Sequence, residues 1–355
     1  MTGKTAKVYV MACLLVFAVS LCLLMYQSGK NNVQAGEAAQ LSYETGMGQE
    51  DYLQYDEMLE KNTLLMQLPD GVTQQDMELQ SDCMTQKVVI GLKKEIDGTL
   101  LDRRYFQEHP ILQNISCMDN EIKVEQDKIF ITFTLNQPQE ASAQLRRETA
   151  GTEAEIRLQT PAALYDRIVV LDAGHGGNDA GETAIVQDTS LQEKDITLAA
   201  VKKAGELLSA EGIQVYYTRE DDSSRSMEER VDFANALQAD MLISVHVTSV
   251  EDTTVYGIQT EYNAQYFIPD FSSADLAYLL LTEVAESTNE KALDIIPGQD
   301  DNVVIRDAMI PVAQLDMGFL SNQQERKLLQ KDAYTEKVAQ GICKAVLLAY
   351  KEMGK

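Results

Sequence analysis

Hydrophobic positions along this chain change their spacing several times, and each change marks a boundary. Residues 8–26, VYVMACLLVFAVSLCLLMY, run nineteen positions without a charge. Wound as a helix they would span about 28 Å, close to the hydrocarbon core of a bilayer. Lys4 and Lys7 precede them, which favours a cytoplasmic N-terminus with the remainder outside the cell. The run exceeds the apolar core of an ordinary signal peptide, so an uncleaved anchor is expected over residues 1–30; the alternative is secretion after cleavage near Ala35. Residues 31–83 then turn polar and acidic, with Lys61 as the one basic residue between 36 and 83. This pattern predicts an exposed stalk, with a short helix around Tyr52 to Leu68. From Val88 to about Leu158 apolar residues recur at every second position, most clearly in IFITFTL (129–135). That alternation predicts a small β-rich module over 84–160, a spacer or packing platform for the C-terminal domain.

Beyond Pro161 short apolar runs alternate with helical patterns. Ile168–Leu171 reads as a buried strand, 195–210 as a helix stopped by Gly212, and 213–218 as a second strand. Ser226-Met227-Glu228-Glu229 has the spacing of a capping box and opens a helix to about Leu237. Strands at 241–245, 256–262 and 310–315 follow, with helices from Ser272 or Ser273 to about 287 and from 332 to 351. The expected fold of 161–355 is α/β: an open, mainly parallel sheet with helices on both faces, preceded by the β-rich module and the N-terminal transmembrane helix.

Charge narrows the possible partners. The chain holds 56 Asp and Glu against 30 Lys and Arg, a balance that repels nucleic acid phosphates, so no nucleic acid partner is expected. Cysteine spacing excludes the common thiolate zinc frameworks, because no two of the five cysteines stand as CxxC. Cys83 and Cys117 are the pair open to a disulfide outside a membrane.

Candidate chemistry gathers where strands end. His175 lies in the loop DAGHGG (172–177) after the first strand, His246 ends the run MLISV, and Asp316 ends IPVAQL. In an open α/β sheet such positions share one edge, which is where ligands bind. A dinucleotide fingerprint fails here because its third glycine would fall on Asp179. Glu193, in LQEKD (191–195), sits at the start of a helix, where the dipole favours a carboxylate; its alternative role is a plain helix cap. Two imidazoles and one carboxylate make a zinc set that leaves the fourth tetrahedral position for water, while a further carboxylate, Asp316, is placed to move a proton.

Residues 168–350 resemble the zinc-dependent N-acetylmuramoyl-L-alanine amidases, hydrolases of bacterial peptidoglycan. The resemblance rests on DAGHGG (172–177), QEKD (192–195), YTRE (217–220), MEERVDFANALQADMLISVH (227–246) and MGFLSN (317–322), in family order. It implies that His175, Glu193 and His246 bind one Zn2+ ion and that Asp316 is the catalytic base. It also implies that the substrate is the amide joining the lactyl group of N-acetylmuramic acid to L-alanine. Arg306, in VVIRDAMIP, matches a family arginine near the site, with substrate contact and plain salt bridging both open. Arg230 and Asn235 match as well, in positions that suit structure better than catalysis. Two departures stand out: the family has Glu where this chain has Asp316, and HAN where this chain has His246-Val247-Thr248. An aspartate is one methylene shorter, which keeps a second reading open, a zinc-bearing but catalytically silent domain that binds wall glycopeptide or regulates another hydrolase.

Overall fold

The computed structural model describes residues 53–54, 62–68, 72–93, 115–125, 128–148, 151–186, 189–265 and 269–355. The expected anchor and the cleavage position near Ala35 lie outside these residues. Among the described residues no helix is long and apolar enough to cross a membrane. By their contacts the described residues separate into two units, one drawn from 1–78, 90–132 and 143–157, the other from 79–89, 133–142 and 158–355.

Among the described residues, eight strands precede residue 160: β1 (Leu53–Gln54), β2 (Thr63–Leu68), β3 (Met77–Asp82), β4 (Lys87–Lys93), β5 (Cys117–Glu125), β6 (Lys128–Leu135), β7 (Glu140–Glu148) and β8 (Gly151–Gln159). They form two four-stranded sheets, ordered β1-β2-β8-β7 and β3-β4-β6-β5. The alternation in 129–135 holds, with Ile129, Ile131, Phe133 and Leu135 buried and the residues between them partly exposed. The expected stalk helix is corrected. Thr63–Leu68 is a strand, paired antiparallel with β8 so that Leu64 faces Ile156 and Met66 faces Ala154. Leu64, Leu65, Met66 and Leu68 are all buried, so tertiary pairing overrides the helix preference of Leu and Met. The Cys83 thiol donates to a Glu140 carboxylate oxygen and the Cys117 thiol to the Asp119 carbonyl.

The second half carries β9 (Ile168–Ala173), the hairpin β10 (Thr183–Val186) and β11 (Thr189–Gln192), α1 (Glu193–Ala210), β12 (Gln214–Tyr217), α2 (Met227–Leu237) and β13 (Met241–Thr248). It continues with β14 (Ile258–Tyr262), α3 (Ser273–Thr288), β15 (Ala292–Pro297), a helical turn at Val303–Arg306, β16 (Val312–Phe319), α4 (Gln323–Leu329) and α5 (Asp332–Met353). Six strands form one sheet, ordered β12-β9-β13-β16-β14-β15. The first four run parallel, as expected. β14 runs antiparallel to β16, a reversal the hydrophobic pattern does not reveal. It follows from the connection: residues 249–257 contain no helix to carry the chain over the sheet, so the strand returns in the opposite sense.

Strand alternation divides the apolar side chains between two faces. Val169, Leu171, Ile243, Val245, Ala313 and Leu315 pack with α1, α3 and α5. Ile168, Val170, Leu242 and Val312 pack with α2 and the 303–306 turn. On the first face α3 and α5 meet closely: a Cβ on Gly341 would stand 2.6 Å from the Val284 Cα. Replacing Gly341 with Val should therefore destabilise the protein by about 1–3 kcal/mol. Urea unfolding measures this, and an unchanged midpoint would contradict the close helix contact.

Candidate metal centre

Three parallel strands carry their side chains from apolar to polar along one face. β9 runs Val170, Asp172 and then Gly174 beyond its end; β13 runs Leu242, Ser244, His246; β16 runs Val312, Gln314, Asp316. The registers pair Asp172 with Ser244 and His246 with Asp316, so these side chains stand side by side at the carboxyl edge of the sheet.

Asp172 is fully buried and anchors this edge. It accepts from Ser244 Oγ at 2.6 Å, Thr218 Oγ1 at 2.6 Å and Arg230 Nη1 at 2.5 Å. Burial would raise its pKa, but Arg230 and the two hydroxyls outweigh that and hold the carboxylate below its usual value. The same Arg230 donates to the carbonyls of Ala173 and His175, both at 2.7 Å. Arg219 donates to the carbonyls of Ala173 at 3.0 Å, Gly174 at 3.0 Å and Lys194 at 2.8 Å. Two buried guanidinium groups thus clamp the loop backbone. The clamp is needed, because His175 sits at φ 61°, a left-handed conformation that costs a non-glycine residue about 1–3 kcal/mol. Arg230 is therefore structural, as its position suggested, and so is Asn235, which binds the Asp307 carbonyl and the Met309 N–H.

Glu193 opens α1 and is 1% exposed. Its Oε2 accepts from the Glu182 N–H at 2.8 Å and lies 3.1 Å from His175 Nε2. Its Oε1 accepts from the Val247 N–H at 2.9 Å and lies 3.0 Å from His246 Nδ1. Desolvation would push this carboxyl up, yet hydrogen bonds and charge from both histidines take it far below the usual carboxylate range. Burial alone would lower the His175 pKa; Glu193 and then Asp179 overcome it and bring the imidazole to about 8. The two rings stand 5.0 Å apart at 78°.

One donor atom from each of His175, Glu193 and His246 falls within 4.8 Å of the others. Two imidazole nitrogens and one anionic oxygen suit zinc. The Asp179 carboxylate lies 2.8 Å from His175 Nδ1, which turns Nε2 toward the centre in the way carboxylates orient metal-binding imidazoles elsewhere. Close packing around the donors also fits: a Cβ on Gly174 would fall 2.3 Å from His246 Cε1, and one on Gly181 would fall 2.6 Å from Glu193 Oε2.

Asp316 stands beside His246 but is only 3% exposed. Burial raises its pKa to about 6, opposed by His246 and Gln314 and aided by Glu261 and Glu193. Gln314 Nε2 donates to its Oδ1 at 3.0 Å, and Gln314 Oε1 in turn accepts from Asn302 Nδ2 at 2.9 Å. Gln314 and Asn302 line a cavity of about 300 Å³, together with His175, His246, Arg225 and Met227. Arg306 is not drawn to the centre. Its guanidinium pairs with Asp307 at 2.7 Å and donates to the Asp300 carbonyl at 2.6 Å, which favours the salt-bridge reading over substrate contact. Spacing alone assigns no role to Asp179, Arg219 or Gln314. Their signals are slight: Asp179 follows His175 by four residues, and Gln314 precedes Asp316 by one strand period.

An open α/β sheet that gathers two imidazoles and a carboxylate at the carboxyl ends of its strands is the arrangement of a metal-dependent hydrolase. The chain belongs to the N-acetylmuramoyl-L-alanine amidase family, whose profile matches residues 169–347. An uncharacterized protein of Bacillus subtilis (strain 168), YqiI, is 29% identical over 188 residues, 53% of this chain and 87% of that protein. The germination-specific N-acetylmuramoyl-L-alanine amidase of the same organism is 29% identical over 208 residues, 54% of this chain and 83% of that enzyme. Among solved structures, the N-acetylmuramoyl-L-alanine amidase of Clostridium difficile 630 is 29% identical, with 53% of this chain and 98% of that chain covered and a TM-score of 0.49.

The clamp and the donor set can each be tested. Arg230→Met leaves Asp172 buried without its cation and should cost about 3–5 kcal/mol in denaturant unfolding; a loss below about 1 kcal/mol would contradict the clamp. Asp179→Asn should weaken zinc binding about 10- to 100-fold in competition with a chromogenic chelator, and unaltered affinity would rule out its orienting role.

Proposed function

We propose that this chain hydrolyses the amide between N-acetylmuramic acid and L-alanine in peptidoglycan, using one zinc ion held by His175, Glu193 and His246. The observation that carries this reading is the convergence of those three donors at the carboxyl edge of the sheet. A zinc ion there supplies Lewis acidity, polarising the scissile carbonyl and making water acidic enough to attack near neutral pH. The side chains do the rest. Glu193 stays anionic because two backbone N–H groups and two imidazoles face it, so one negative ligand leaves the centre net positive.

Asp316 takes the proton of the attacking water and delivers it to the departing nitrogen of L-alanine. A carboxylate can serve as base in the first step and as acid in the second. Gln314 holds Oδ1, which leaves Oδ2 for the proton. The shorter side chain sets the carboxylate back from the cavity, and a displacement of about 1 Å can cost on the order of a hundredfold in rate. Export of the domain, anchored through residues 8–26 or released after cleavage near Ala35, is supported by Lys4 and Lys7 ahead of the apolar run and would bring it to the wall.

Dye release from labelled peptidoglycan tests the reading. Release should stop with a chelator, return with zinc and be lost in Asp316→Asn, while Asp316→Glu should match or exceed the parent. A chain that binds zinc but releases no dye would instead be the silent, wall-binding domain.

A further inference from the structure

We infer that Arg225 is a carboxylate-binding residue of this site, seating the free carboxylate of the acidic residue that follows L-alanine in the stem peptide. The inference rests on the amidase reading for the identity of the ligand. Arg225 lines the same cavity as His175 and His246. Its Nε is closed off from solvent and has no hydrogen-bond partner, and among the described residues its guanidinium makes no ion pair. A guanidinium offers five N–H groups and no acceptor, so an Nε–H shut off from solvent without a partner is a donor awaiting an acceptor.

The other two arginines of the region are not available in this way. Arg219 and Arg230 are spent on Asp172 and on the loop carbonyls. Arg225 also projects from a fixed point. Its own carbonyl accepts from Arg230 Nε at 3.2 Å, and the next residue, Ser226, closes the capping box of α2 with Glu229. A side chain rooted there can select a ligand without first ordering its backbone.

Charge explains why a dedicated cation is needed. With 56 acidic residues against 30 basic ones the molecule repels carboxylates on approach. Within the cavity Asp172 and Asp179 are engaged by Arg230 and His175, and Asp301 is solvent-exposed. Asp221 feels the charge of Arg225 without bonding to it. One planar guanidinium presents a fork that matches one carboxylate, and it discriminates against the neutral amide of the same shape.

Two muramoyl tripeptides test this, alike except that the acidic residue after L-alanine, linked onward through its γ-carboxyl, carries a free α-carboxylate in one and an α-amide in the other. Hydrolysis by the zinc-loaded full-length chain and calorimetric binding to the zinc-free chain are measured for the parent, Arg225→Gln and Arg225→Lys. The parent should favour the acid about tenfold in KM and in Kd. Arg225→Gln should bring the acid-to-amide ratio to about one, and Arg225→Lys should restore part of it. A general structural loss would lower both ligands together and leave the ratio unchanged, which overturns the inference, as does equal handling of the two by the parent. Acid-selective binding that depends on Arg225, without hydrolysis, would sustain the inference and sink the amidase reading. Absence of both binding and hydrolysis would sink both.

Discussion

Glu193 carries a full negative charge where solvent hardly reaches, and such a charge is tolerated only if donors surround it. Both of its oxygens have them: each takes one backbone N–H and faces one imidazole nitrogen. The backbone donors come from Glu182, ahead of β10, and from Val247, within β13. Fixing one carboxylate therefore fixes the start of α1, the entry to the hairpin and the end of a central strand together. The two imidazoles are positioned by the same arrangement. Whatever binds at their shared edge meets a site already assembled, at the expense of a strained His175 backbone.

That strain is held by arginines working as structural parts. Arg219 and Arg230 come from the end of β12 and from α2, and their guanidinium groups reach the carbonyls of residues 173–175 from two directions. Because the pairing of β9 with β13 ends at Ala173, side-chain donors replace the partners a longer strand would have supplied. Asp172 holds Arg230 in place, and is itself tied to the neighbouring strands through Ser244 and Thr218. Loop, sheet and helix are thus joined through one buried ion pair.

Much of this is legible from spacing alone. A buried run broken by DAGHGG, and a second ended by a histidine, place His175 and His246 at strand ends without reference to any relative. Glu193 is less legible, since a carboxylate at a helix start looks the same whether it caps the helix or binds a metal. Only its two backbone donors and two imidazole neighbours tell these apart. Thr63–Leu68 misleads because Leu and Met favour a helix in isolation, and the partner strand β8 lies almost a hundred residues away. The reversed direction of β14 is hidden because it depends on the length of a connection, and β15 because it is half-exposed and at the sheet edge. Arg306 shows the limit of a motif: the residue is present, but Asp307 beside it claims the guanidinium.

The central claim is that three side chains from distant parts of the chain share one zinc ion. Zinc K-edge X-ray absorption on the zinc-loaded full-length protein tests it most directly. The account predicts one zinc per chain, with two imidazole nitrogens and one carboxylate oxygen at about 2.0–2.2 Å and a coordination environment that changes when Glu193 is replaced by Gln. A spectrum with no imidazole scattering, or one indifferent to Glu193→Gln, would contradict it.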